Sequence, residues 1–325
     1  MTTDEDTSPN AGDDPDPDPG DDEHPAMASV RKLLAAAEPD KGTLPERRAA
    51  MDGVTVDVPT PPGTTTELVS LGGRPGEWSV PDGADRDRAV LYLHGGGYCM
   101  GSLTSQRDLV GRLALASGIA FISLDYRLAP EHPHPAALDD AVAAYRDLRA
   151  SGFGAHQLAL AGDSAGAGLV FATTLALRSA GEDVPAALAA LSPWVDLTPS
   201  SAGLEPARDG DPTTGSGLEE MAEAYLAGID PRTPLVSPVR APRADLIGFP
   251  PVRIDAGADE VLVDDATVLT TNLRDAGVDV TITVWPDMVH VFQVFPAEVV
   301  PESAESITEI GRFLGSHLGA STSGS

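Results

Sequence analysis

Apolar residues in this chain fall into short runs separated by stretches in which they recur every three or four positions. The short runs predict strands: Thr66–Leu71, Glu77–Val80, Ala89–Leu93, Ile119–Leu124, Leu158–Ala161, Ala187–Leu191, Val252–Asp255 and Val280–Val284. Gly72-Gly73-Arg74-Pro75-Gly76 separates the first two, which predicts an antiparallel pair. Between the later runs, Leu138, Val142 and Tyr145 keep helical spacing, as do Ala266, Leu269 and Leu273, and Ile307, Ile310 and Leu314. Strands alternating with helices imply a mostly parallel sheet with helices on both faces, an α/β architecture of eight strands. Two amphipathic helices, around Val30–Leu34 and Leu44–Met51, precede the first strand. The interval 199–248 breaks the alternation. It holds Ser, Gly, Pro, acidic residues and one helical stretch, Leu218–Leu226, and is too long for a plain crossover. It predicts a helical cap over the strand ends, shared with residues 27–55, on a domain spanning 27–325.

Residues 1–26 depart from all of this. They carry ten acidic residues, no Lys or Arg and almost no large apolar side chain, so a disordered acidic tail is expected. The whole chain of 325 residues has a formal charge of −29, which argues against nucleic acid and anionic membranes as partners. One cysteine, Cys99, excludes an internal disulfide and a cysteine metal cluster. No apolar stretch is long enough to cross a bilayer, and the N-terminus lacks the basic and apolar regions of an export signal. A cytoplasmic location without membrane insertion is therefore expected.

The chemistry centres on Gly162-Asp163-Ser164-Ala165-Gly166, which follows a strand run and opens a helical one. This is G-x-S-x-G in the setting of a nucleophile elbow: small residues flank a serine held in strained backbone at a strand-to-helix turn. A serine hydroxyl needs a base. Of seven histidines, His290 follows the last strand on a loop, at the sheet edge where ligands gather in open α/β folds. The chain order serine, acid, histidine leaves Asp259, just past the Val252 strand, as the preferred acid, with Glu260 as its rival. His94-Gly95-Gly96-Gly97 follows the Ala89 strand and lets backbone N–H groups approach an oxyanion. Gly96, Gly97 and Ala165 are the expected donors, with Gly95 forming the turn.

Taken in order, His94-Gly95-Gly96-Gly97-Tyr98, Asp125-Tyr126-Arg127-Leu128-Ala129-Pro130-Glu131, Gly162–Gly166, Ser192-Pro193-Trp194-Val195-Asp196-Leu197, Asp259-Glu260-Val261-Leu262 and His290 resemble the bacterial hormone-sensitive-lipase-like esterases of the α/β-hydrolase fold. The resemblance runs from about Ser29 to Leu318. It implies a carboxylesterase with Ser164 as nucleophile, Asp259 as acid and His290 as base, under a cap and without cofactor or metal. The implied partner is a small-molecule ester of short to medium acyl chain, with a homodimer left open. Lactone or N-acyl hydrolysis by the same residues is the alternative, and a non-catalytic small-molecule binder a more distant one. The resemblance further suggests an Arg127–Glu131 pair, a structural role for Asp163 as anchor of the elbow, and a buried Cys99. Two positions depart from the family pattern: Ala167 replaces a glycine, and His290-Val291-Phe292 replaces His-Gly-Phe.

Overall fold

The computed structural model describes residues 25–37, 41–84, 86–199 and 215–318. Eight strands among them form one sheet in the order β1-β2-β4-β3-β5-β6-β7-β8. Their ranges are β1 Thr64–Leu71, β2 Arg74–Pro81, β3 Ala89–Leu93, β4 Ala120–Leu124, β5 Leu158–Asp163, β6 Ala187–Leu191, β7 Val252–Gly257 and β8 Val280–Trp285. β1 and β2 form the expected hairpin, β2 runs antiparallel to β4, and the remaining pairs are parallel. The parallel strands β3 to β6 are buried throughout, as strands covered on both faces must be.

The helices are α1 Pro25–Ala37, α2 Leu44–Thr55, α3 Arg107–Ser117, α4 Ala136–Ala150, α5 Ala165–Ser179, α6 Gly215–Leu226, α7 Arg243–Leu246, α8 Val263–Asp275 and α9 Pro301–His317. Alternation along β3 sorts its side chains between two cores. Leu91 and Leu93 face the cluster that includes Leu138, Leu169 and Leu269, from α4, α5 and α8. Val90 and Tyr92 face Leu109, Leu113, Ile310 and Leu314, from α3 and α9. The hydrophobic pattern did not predict α3. Its buried residues Leu109, Val110 and Leu113 keep helical spacing, with Gly111 among them and no side-chain cap at the start.

Two boundaries shift. The expected acidic tail lies outside the described residues up to position 24, while Pro25 and Ala26 already belong to α1. That helix starts early because Met27 and Val30 bury against Trp285, Met288, Val289 and Phe292. In the interval 199–248, residues 200–214 lie outside the described residues. α6 packs over the loop after β3, whereas Val236, Val239 and Leu246 join the main core.

A buried carboxylate ties α8 to the loop after β6. Asp265 accepts hydrogen bonds from the backbone N–H groups of Val195 (3.1 Å) and Asp196 (3.0 Å). Burial, against these two bonds, pushes its carboxyl up to about 7. A carboxyl whose folded pKa is raised contributes stability at pH below its unfolded value of 3.8 and loses it as pH rises through 7. Asp265→Asn keeps an acceptor and removes the charge. Its stability relative to wild type is expected to rise by about 4 kcal/mol between pH 4 and pH 8. Urea unfolding of both proteins across that range checks this, and a difference independent of pH would refute it.

Candidate active site

Ser164 sits between β5 and α5 with φ 50° and ψ −121°, a left-handed conformation disfavoured for any side chain. The turn is held by Ser164 N–H donating to Leu191 O at 2.9 Å, while Ser164 O accepts from Trp194 N–H at 3.1 Å. Its neighbours have no room to be larger. A Cβ on Gly166 would overlap the carbonyls of Leu93 and His94, and one on Gly162 would meet Leu93 O and the Gly166 backbone. α5 begins at Ala165, so that residue's N–H has no intrahelical acceptor and points with the helix dipole toward the serine.

His290 comes from the loop after β8 and places Nε2 2.9 Å from Ser164 Oγ. The other histidines of the core serve elsewhere. His94 stacks on Tyr126 with ring centroids 4.1 Å apart, and His134 meets Tyr225 edge-on. Asp255 is also engaged, by Arg253 and by Trp285 Nε1 at 2.7 Å.

The two candidate acids, though adjacent in sequence, point to different partners. Asp259 Oδ2 accepts from Arg31 Nη2 at 2.6 Å. Glu260 approaches the imidazole, with Oε2 3.8 Å from His290 Nδ1. Glu260 Oε2 also accepts from Ser192 Oγ (2.6 Å) and Gly257 N–H (3.0 Å). Its Oε1 is buried and has no hydrogen-bond partner among the described residues. Ser192 Oγ in turn accepts from Val291 N–H at 2.9 Å, so one hydroxyl links the acid to the residue after the histidine. Val291 has φ 49°, a backbone that favours glycine, which gives a physical meaning to the departure from His-Gly-Phe. Its side chain is buried beside Ile307 and Leu314, and that burial offsets the strain.

The glycine loop after β3 is anchored from below by Asp163. Its Oδ1 accepts from Gly95 N–H (3.0 Å) and Tyr92 Oη (2.7 Å), and Oδ2 accepts from Gln106 Nε2 at 3.3 Å. Burial pushes this carboxyl up to about 6. With Gly95 N–H taken by Asp163, Gly96 and Gly97 follow as the next donors in the loop. Both have positive φ, 104° and 60°. From above, a Cβ on Gly97 would run into the Met221 side chain of α6. Tyr98 stacks on Tyr225 of the same helix at 3.8 Å between centroids, and Cys99 Sγ lies 3.8 Å from Met221 O. Cys99 is buried, which pushes its thiol up to about 12.

The expected Arg127–Glu131 pair is not formed. Arg127 forks onto Asp140 of α4, with Nη2 2.7 Å from Oδ1, because Asp140 is buried directly beneath it. Glu131 pairs instead with Arg48 of α2. Arg48 also donates to the carbonyls of Cys99 and Ala129, fastening α2 to the oxyanion-side loops. Neither Arg31 nor Arg48 was singled out by sequence reasoning, because each makes its contacts with residues far along the chain.

A cavity of about 510 Å³ opens between α6 and the segment from Trp194 to Pro199. Its described lining includes none of Ser164, Glu260 and His290. No cluster of three or more His, Cys, Asp or Glu suited to a metal occurs among the described residues, and no described helix is long and apolar enough to cross a membrane.

Comparison with known proteins places this geometry in context. A family model for the α/β-hydrolase fold matches residues 90–294. An acetyl-hydrolase of Streptomyces hygroscopicus is 43% identical over 296 residues, covering 89% of this chain and 96% of its own. An esterase of Acinetobacter venetianus is 32% identical over 268 residues, covering 82% and 87%. Among solved structures, an esterase from the bacterial hormone-sensitive lipase family superposes with a TM-score of 0.85 at 40% identity, covering 91% of this chain and 99% of that one.

Proposed function

We propose a mechanism for a chain that belongs to the α/β-hydrolase family, among the bacterial hormone-sensitive-lipase esterases, and that hydrolyses carboxylic esters. Ser164 Oγ attacks the ester carbonyl and His290 Nε2 takes its proton. The carbonyl oxygen becomes an oxyanion bound by the N–H groups of Gly96, Gly97 and Ala165. The protonated imidazole then gives its proton to the departing alcohol, leaving an acyl-serine. Water, activated by His290 in the same way, attacks that acyl group and releases the acid. The observation that carries this reading is the 2.9 Å contact between His290 Nε2 and a serine held at positive φ.

The acid in this reading is Glu260, in place of Asp259, the residue favoured by sequence position. The reason is electrostatic geometry. Glu260 faces His290 Nδ1 and has an uncommitted buried oxygen, whereas a guanidinium neutralises Asp259. The 3.8 Å gap is longer than a hydrogen bond, as is common before substrate binds, when catalytic contacts have yet to tighten. Helices α1, α2 and α6 act as the cap. Met221 and Tyr225 sit directly on the oxyanion loop, which leaves little height above it and favours short acyl groups, in keeping with the acetyl-hydrolase relative.

Hydrolysis of p-nitrophenyl esters from acetate to palmitate tests the substrate range. Acetate and butyrate are expected to be turned over, with kcat/KM falling steeply beyond the medium chains. A maximum at palmitate would refute the short-chain assignment. Turnover of lactones or N-acetyl amides with none of esters would instead favour the alternative bond types.

A further inference from the structure

The triad as read above depends on two loops that leave neighbouring strands, and those loops have a shared fastening. Glu260 lies on the loop after β7 and His290 on the loop after β8. Backbone bonds join the loops at their bases, with Ala258 N–H donating to Trp285 O at 2.8 Å and Asp259 N–H to Met288 O at 3.1 Å. Gly257 sits so close to Met288 O and Val289 O that any Cβ there would collide with them. The side chain that spans the two loops comes from the opposite end of the sequence. Arg31 Nη2 donates to Asp259 Oδ2 at 2.6 Å and to Asp287 O at 2.9 Å. Arg31 and Asp259 are both more than nine-tenths buried.

The helix that carries Arg31 is docked where this contact requires it. Met27 and Val30, one turn back and one residue back, pack with Trp285, Met288, Val289 and Phe292 in a cluster separate from the two main cores. The apolar face of α1 is thus committed to the histidine loop, and its guanidinium to the junction of that loop with the acid loop.

We propose that Arg31 is a positioning residue for the catalytic pair: by holding Asp259 and Asp287 together, it sets the separation of the adjacent Glu260 from His290. This rests on the assignment of Glu260 as the acid. The physical argument is one of leverage. Asp259 and Glu260 share a peptide unit, so a movement of the Asp259 backbone carries Glu260 with it. Asp287 lies three residues before His290 on the facing loop. One guanidinium nitrogen that donates to both sides fixes a distance to which proton transfer is steeply sensitive, since a misplacement near 1 Å can cost about 100-fold. A lysine at position 31 keeps the charge but lacks the rigid planar group that aims Nη2 at both acceptors, so it grips less well.

The test is kinetic, on the full chain, with kcat expressed per site titrated by an organophosphate so that misfolded protein is not counted. Arg31→Gln is expected to lower kcat for p-nitrophenyl butyrate by about tenfold or more with KM changed by less than about threefold. Arg31→Lys should recover part of the loss. Asp259→Asn should fall by a similar factor, and the Arg31→Gln/Asp259→Asn double variant should be no worse than the poorer single one, because both remove the same tie. A wild-type kcat per titrated site in Arg31→Gln, with Glu260→Gln strongly impaired, would overturn the proposal and leave Glu260 as the acid. A loss of several thousand-fold in Asp259→Asn, with Glu260→Gln nearly normal, would overturn the Glu260 assignment and the proposal together.

Discussion

Replacement of Ser164 by alanine is expected to lower kcat for p-nitrophenyl acetate by on the order of 10⁶-fold, to the level left by the oxyanion donors and binding alone. The size follows from how the three groups act. Without Oγ there is no acyl-serine, and the base positioned 2.9 Å away has no hydroxyl to deprotonate. The oxyanion donors remain, but water must then attack without the covalent route. Ser164 is only 7% exposed, and alanine removes a single oxygen from a turn whose strain comes from backbone geometry. The fold should therefore survive, so equal melting temperatures with activity lost would mark the effect as chemical. Retention of more than about 1% of activity would exclude Ser164 as the nucleophile. Stopped-flow acylation with p-nitrophenyl acetate supplies a second check, since the burst of nitrophenol must vanish with the hydroxyl.

The second large effect is expected at Glu260. Glu260→Gln should lower kcat by on the order of 10⁴-fold, because a neutral amide neither stabilises the imidazolium nor fixes the productive tautomer. The same amide still has an oxygen for the hydrogen bonds from Ser192 Oγ and Gly257 N–H, so local structure is preserved. Asp259→Asn, its neighbour in sequence, should cost far less, since Asp259 is held by Arg31. The comparison of these two isosteric variants decides the acid. Steady-state kinetics at pH 8 on p-nitrophenyl butyrate is sufficient, because the expected gap between them is about a hundredfold or more.

The elbow was legible in the sequence because its requirements are local. Only tiny residues fit at positions 162 and 166, where strand and helix backbones pass within contact distance of any Cβ, and a strand run and a helical run on either side complete the pattern. The hydrophobic alternation of β3 was legible for the same kind of reason, since period-two burial is a property of one segment. The hairpin, the parallel strands and the amphipathic helices α4, α8 and α9 all express such short-range rules. α3 escaped because its start is signalled by no side-chain cap and Gly111 interrupts its apolar residues.

What escaped most fully were choices made between distant segments. Arg127 pairs with the buried Asp140 of α4 and not with Glu131 of its own loop, which Arg48 of α2 takes. Val291 at a glycine-like φ is tolerated because residues of α9 pack against it.

The sequence by itself determined the sheet and the strand-to-helix turn at Ser164, since these follow from steric and periodic constraints acting within a few residues. The tertiary structure alone decided which of two consecutive acids faces the histidine. Asp259 and Glu260 differ by one position on a turn, and the direction of each side chain is set by Arg31 from the first helix, Ser192 after β6 and the loop after β8. Contacts between segments up to 256 positions apart leave no periodic or compositional trace in the chain.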